Sequence, residues 1–239
     1  MHQPKQWCLE NLDLILSGGL QIGSVVVLKG GAVAAVQAEL PESRIATAPG
    51  AEPVAYRPFV TAATSFDGSI ATTYGRGAQV VVCDNTLSVA LKSFDAVTKI
   101  RHSRFSLNRI GEIRTNLALV VEQSGDAFDA QFATLASQVV TDQKFAAIVK
   151  AYTGVENAKE GRSKTIAENK EKALLDLWRR DERVAPWRGS AYGVLAAFNT
   201  ASHHVFGADK TRIERNQQRV IEGEWDRFDS NVLDLIASV

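Results

Sequence analysis

The chain has 239 residues, 45% hydrophobic and 23% charged, which is enough apolar material for one substantial core or two modest ones and excludes wholesale disorder. Its 27 basic residues balance 27 acidic ones, so overall charge does not coat nucleic acid, and any basic groove must be assembled by folding. Two cysteines and four histidines without a repeated spacing argue against a disulfide scaffold and a structural zinc site, so neither a metal nor a cofactor is expected.

In chain order, Leu9, Leu12 and Leu16 recur at helical spacing before Gly18 and Gly19, where a helix over 7–19 would stop. No secretion-signal pattern and no run of about 18 apolar residues follows. The expected setting is therefore cytoplasmic, with no membrane partner. Residues 24–28 and 32–40 read as two strands around the Lys29-Gly30-Gly31 turn. The glycines do not lead into Gly-Lys-Ser/Thr and a helix, so this is not a phosphate-cradling loop. Residues 41–55 carry three prolines and read as a surface excursion. Strands over 56–65 and 69–75 flank the Asp67-Gly68 turn, and "AQVVVCDN" (78–85) continues the sheet. With no crossover helices between them, these strands predict an antiparallel meander of about five.

From residue 86 the period changes. Leu87, Leu91 and Phe94 fit a short helical face, "KIRHSRF" (99–105) reads as extended, and residues 107–140 form one long helix or two broken near Gly125. Thr141 or Asp142 caps a further helix ending at Gly154, residues 155–163 form a loop, and 164–180 is an amphipathic helix. Helices near 191–206, 211–221 and 230–238 complete the chain. The fold class is α+β: an antiparallel β-sheet in the N-terminal half (1–106) packed with a helical C-terminal half (107–239) as one compact unit.

The aliphatic run entering Cys83, Asp84, Asn85 and Thr86 raises a chemical question. A nucleophilic Cys83 needs a lowered pKa and a nearby base such as His102 or His203, and no local pattern supplies one. A small buried group at a strand end is the simpler reading. Asn85 and Thr86 carry oxygens suited to a helix start, so Cys83, Asn85 and Thr86 read as a structural strand-to-helix corner. Cations then gather: Lys92, Lys99, Arg101, His102, Arg104, Arg109 and Arg114 face only Asp95 and Glu112, with Phe94 and Phe105 among them. Such a stretch can hold phosphates while an exposed ring stacks on a base. A second basic group, Arg162 to Arg188, is interleaved with acids, and the Lys164/Glu168 and Glu168/Lys172 spacings favour a solvated helix face. The adjacent His203 and His204 point apart on a helix and mark its end before Gly207 better than they mark a metal site. Trp178 and Trp187 suit a helical packing layer or an interface.

The run "TSFDGSIATTYGRGAQVVVCDNTLSVALKS" (64–93) with the following "IRHS" (100–103) resembles the central block of the phage/plasmid-like protein family known as domain of unknown function 932. The strand pair at 19–41, "APWRGSAYGVLAAFNTASHH" (185–204) and "RIERNQQRVIEG" (212–223) resemble its flanking parts, so the likeness runs from about Trp7 to the end. Asp84 stands where the family commonly has an amide, and the chain starts without the family's longer N-terminal region. The resemblance implies a phage-associated origin, hence the host cytoplasm, and no reaction. The expectation is a non-enzymatic protein that binds nucleic acid, such as single-stranded DNA in replication or recombination. Lys92, Lys99, Arg101, His102, Arg104, Phe105, Arg109 and Arg114 would form its surface. The alternatives are an interaction or assembly factor with a host or phage protein partner, and an enzyme of unnamed substrate. Homo-oligomerisation is compatible with either.

Overall fold

Strands β1 (Gln21–Leu28) and β2 (Val33–Glu39) form the expected hairpin around a tight turn at Lys29–Gly31. The remaining strands are β3 (Arg44–Ala46), β4 (Val54–Ser65), β5 (Thr72–Val80), β6 (Thr86–Leu87) and β7 (Thr98–Ile100). All pairings are antiparallel, in the order β1-β2-β4-β5-β6, with β3 on β4 and β7 on β5, giving a half-barrel sheet. This computed structural model describes residues 19–69, 72–80, 86–87, 98–100, 117–207, 211–212, 215–216, 219 and 224–239. The helix expected over 7–19 lies outside them.

Three sequence expectations are corrected here. The proline-bearing excursion over 41–55 contains β3, whose Arg44, Ile45 and Ala46 pair with Tyr56, Ala55 and Val54. Pairing to a long neighbour supplies the ladder bonds that local propensity does not predict. Two strands expected over 69–85 are one strand, β5, running through Gly75 and Gly77, because β4 pairs with it continuously from Tyr56↔Val80 to Ala63↔Thr73. Thr86 and Leu87 do not begin a helix: they are extended and pair with Gln79 and Ala78, so the chain doubles back as a return strand. Cys83 and Asn85 lie outside the described residues.

The helical half consists of α1 (Leu117–Ala136), α2 (Asp142–Thr153), α3 (Arg162–Arg180), α4 (Ala191–Thr200) and α5 (Glu224–Ser238). Helix α1 runs unbroken through Gly125. Thr141 caps α2 by accepting from the Lys144 N–H at 3.2 Å, and Gly154 ends it at φ 61°, a left-handed conformation that costs an L side chain energy. All ten residues of α4 are buried, as for a helix surrounded on every side. Around it, Phe145 stacks on Trp178 at 4.2 Å, and Phe132 meets Tyr192 edge-on at 4.7 Å. The indole N–H groups of Trp178 and Trp187 donate to Asp142 and to the Glu52 carbonyl, each at 2.8 Å, so both tryptophans belong to the packed interior.

Cross-strand partners share a face, so Arg44, Ala46, Val54, Tyr56, Ala78 and Val80 lie on one side of the sheet. Apart from Arg44, all are buried in the same core cluster as Phe128, Phe132 and α4. Tyr56 anchors this contact. Its ring lies 4.1 Å from Phe128, and its hydroxyl donates toward the Gly125 carbonyl (2.9 Å) and Asp129 (2.7 Å). Arg44 binds Asp126 and Asp129, each at 2.8 Å. Its guanidinium lies so close to α1 that a Cβ on Gly125 would stand 2.7 Å from Cζ. Gly125→Ala is therefore expected to lower stability by ~1–3 kcal/mol through crowding and loss of this clamp, measured by denaturant unfolding.

Burial, then the Asp129 hydrogen bond and charge, push the Tyr56 phenol above its ordinary value. The folded state thus keeps a proton that the unfolded chain loses near pH ~10. Tyr56 contributes fully below that pH and progressively less above it. Tyr56→Phe should cost ~1–3 kcal/mol at neutral pH. The deficit should shrink as pH rises past ~10, as read from unfolding curves across the alkaline range.

Candidate anion-binding cleft

Helix α4 does not end conventionally. Residues Ala201–Val205 widen into a π-helical turn, closed by the Phe206 N–H donating to the Ala201 carbonyl at 2.7 Å. Such turns are uncommon and recur at functional sites. Ser202 and His203 stay buried, whereas Phe206 is only half-buried, and Gly207 turns the chain at φ 86°. His203 and His204 thus mark the helix end, their ring centroids 6.0 Å apart.

A cleft of about 460 Å³ opens beside this turn. Tyr152 from α2, Lys170 from α3, Ser202 and Phe206 from the turn, and Glu224 and Phe228 from α5 line it together with Arg215 and Arg219. The arginines are held by the turn: Arg215 Nη2 donates to the Ser202 carbonyl at 3.2 Å, and Arg219 Nη1 to the Ser202 hydroxyl at 2.8 Å. Between them, Asn216 donates to the His203 carbonyl at 3.1 Å. Placing cations against carbonyls at the end of α4 is favourable for the helix dipole.

The charge left over gives the cleft its chemistry. Glu224 is the single carboxylate among the described lining residues, and it binds Arg219 Nε at 3.2 Å. Among the described residues no carboxylate pairs with Arg215 or Lys170. Burial, followed by the nearby charges of Arg219 and Arg212, holds the Arg215 guanidinium below its ordinary value. Lys170 lies 5.7 Å over the Phe206 ring, and the Arg219 guanidinium 5.7 Å over Phe228, so both cations rest on aromatic faces. Tyr152 meets Phe228 edge-on at 6.3 Å. Among the described lining residues, three donor-only cations stand against one acid over aromatic rings, an arrangement suited to an anion carrying a planar group.

Of the residues expected to form a nucleic-acid surface, Lys99 lies on β7, its backbone paired with Thr73. Lys92, Arg101, His102, Arg104, Phe105, Arg109 and Arg114 lie outside the described residues. Lys170 belongs to the basic group between Arg162 and Arg188 whose interleaved acids favour a solvated helix face. The ion pairs expected there are not formed: Lys164 binds Glu160, which precedes the helix, and Glu168 pairs with neither Lys164 nor Lys172 among the described residues. Arg212, Arg215 and Arg219 are not among the residues that the sequence pattern assigns to a nucleic-acid surface. Their spacing of three and four was the available signal, since it aligns all three on one helical face.

A family model independently covers the chain. The family described as Domain of unknown function (DUF932) matches residues 1–225. The chain belongs to the DUF932 family. No curated protein and no solved structure matches it. Of the cleft residues in this DUF932 chain, Lys170, Arg215, Arg219 and Glu224 fall within the matched span, and Phe228 lies beyond it. Among its described residues no helix is long and apolar enough to cross a membrane, and no cluster of three or more His, Cys, Asp or Glu is placed to hold a metal ion.

An anion seated here would bind the folded state alone. Inorganic pyrophosphate at ten times its dissociation constant should add ~1.4 kcal/mol, raising the melting temperature by about 3–5 °C. In Lys170→Gln most of that shift should vanish at the same concentration, as measured by differential scanning fluorimetry.

Proposed function

We propose that this DUF932 protein is a non-enzymatic nucleic-acid-binding protein whose ligand is single-stranded. The observation that carries the reading is the cleft, in which Lys170, Arg215 and Arg219 surround Phe206 and Phe228 with one opposing carboxylate. A single strand offers what this arrangement accepts: phosphates for the cations and unstacked bases for the rings. Contact with a phosphate draws Lys170 away from Phe206 and opens that ring face to a base. Ion pairing and stacking then act together.

The basic stretch from Lys92 to Arg114 is the second surface in this reading, with Lys99, Arg101 and Arg104 on phosphates and Phe105 stacking. The phage-associated character implied by the resemblance makes DNA exposed during replication or recombination the natural ligand. Locally gathered cations would let a chain of zero net charge bind a polyanion, because the relevant charge is local.

Fluorescence anisotropy with short labelled DNA and RNA oligonucleotides tests this. Wild type should bind single strands at low salt and weaken as salt rises, because phosphate contacts release condensed counterions. Lys170→Glu should weaken binding on the order of tenfold and flatten the salt dependence by about one counterion. A folded K99E/R101E/R104E variant should also lose affinity. Absence of wild-type binding at low salt, or binding indifferent to both variants, would reject the proposal.

A further inference from the structure

We infer that the cleft seats one nucleotide unit and that Glu224 reads its base, selecting guanine; this rests on the nucleic-acid reading above. The cleft has the size of a small-molecule pocket rather than of an open track, at about 460 Å³. Within it, donors and acceptors are unequally distributed. Lys170, Arg215 and Arg219 can only donate, and among the described lining residues Glu224 supplies the single carboxylate acceptor.

That acceptor is held in place. Arg219 Nε binds Glu224 Oε2 at 3.2 Å while the guanidinium lies over Phe228, one helical turn along α5 from Glu224. Carboxylate and ring therefore share one face of the helix. The Glu224 side chain is 41% exposed, and its Oε1 has no partner among the described residues. A phosphate facing Glu224 is repelled, so the anion belongs with Lys170 and Arg215, and the group turned to Glu224 must be a donor.

Base chemistry then decides. In a single strand the Watson–Crick edges are open to side chains. Guanine presents two adjacent donors, N1–H and the N2 amine, which match the two oxygens of a carboxylate. Cytosine and adenine each offer one amine beside an acceptor. Thymine and uracil place their one N–H between two carbonyls, which a carboxylate repels. The expected order is guanine first, cytosine and adenine next, thymine and uracil last.

Competition against a bound, labelled oligonucleotide of mixed sequence is the test, with the four ribonucleoside monophosphates as competitors. GMP should displace the probe at concentrations on the order of five- to tenfold below UMP, the discrimination of one bidentate base contact. Glu224→Gln, which replaces one acceptor by a donor, should abolish that advantage and shift preference to adenine and cytosine, whose amine-beside-acceptor edges match an amide. Equal competition by all four with wild type overturns the inference while leaving nucleic-acid binding intact. So does a guanine advantage that survives in E224Q. If wild type binds no oligonucleotide at all, both readings fall together.

Discussion

The Tyr56 hydroxyl, set between the Gly125 carbonyl and Asp129, governs the geometry of everything that follows it in space. It joins a strand of the sheet to the middle of α1, and Arg44 reinforces it from the neighbouring strand through Asp126 and Asp129. The bond sits at the edge of the core, where burial strengthens a hydrogen bond to a charged acceptor and makes its absence costly. With α1 fixed, Phe128 and Phe132 present their rings to Tyr192 on α4. The orientation of α4 in turn sets where its π-turn emerges. The cleft thus inherits its position from a contact between elements remote from it in sequence.

The π-turn connects packing to chemistry. By admitting one extra residue into the last turn, it leaves Phe206 at the surface and aims the Ser202 carbonyl and hydroxyl at two arginines. Those arginines satisfy the end of α4 and carry the charge of the cleft. Helix capping and the local charge thus rest on the same side chains. Lys170 differs, because among the described residues its ammonium is held by an aromatic face alone.

The sheet was legible where local chemistry and tertiary pairing agree: the Asp67-Gly68 turn, the Lys29–Gly31 hairpin and the alternation along β4 each indicate the same path. Thr141 and Gly154 were equally readable as the two ends of α2, since a cap is a property of one residue and its neighbours. Reading failed where a partner strand overrode propensity. β3 exists because β4 extends past β2 to meet it, and β5 crosses two glycines because β4 holds it throughout. The corner at Thr86 was misjudged for the same reason: the hydrophobic spacing of Leu87 and Leu91 suits a helix, yet pairing with β5 draws Thr86 and Leu87 into the sheet. The cleft was beyond local reading, because residues from Tyr152 to Phe228 meet only after five segments fold around α4. The arginine spacing alone foreshadowed it.

The complete burial of α4 bears on how the chain reaches this state. A helix without a polar face has no arrangement that water tolerates, and part of its cover comes from α5, where Val232 and Ile236 join the core and Asp229 accepts from Asn199 at 2.9 Å. Those residues emerge from the ribosome after α4. During synthesis, α4 is therefore displayed for the time needed to make some thirty further residues, a sticky interval that ends when α5 arrives. The arrival of α5 completes this cover, and the cleft comes into being with it.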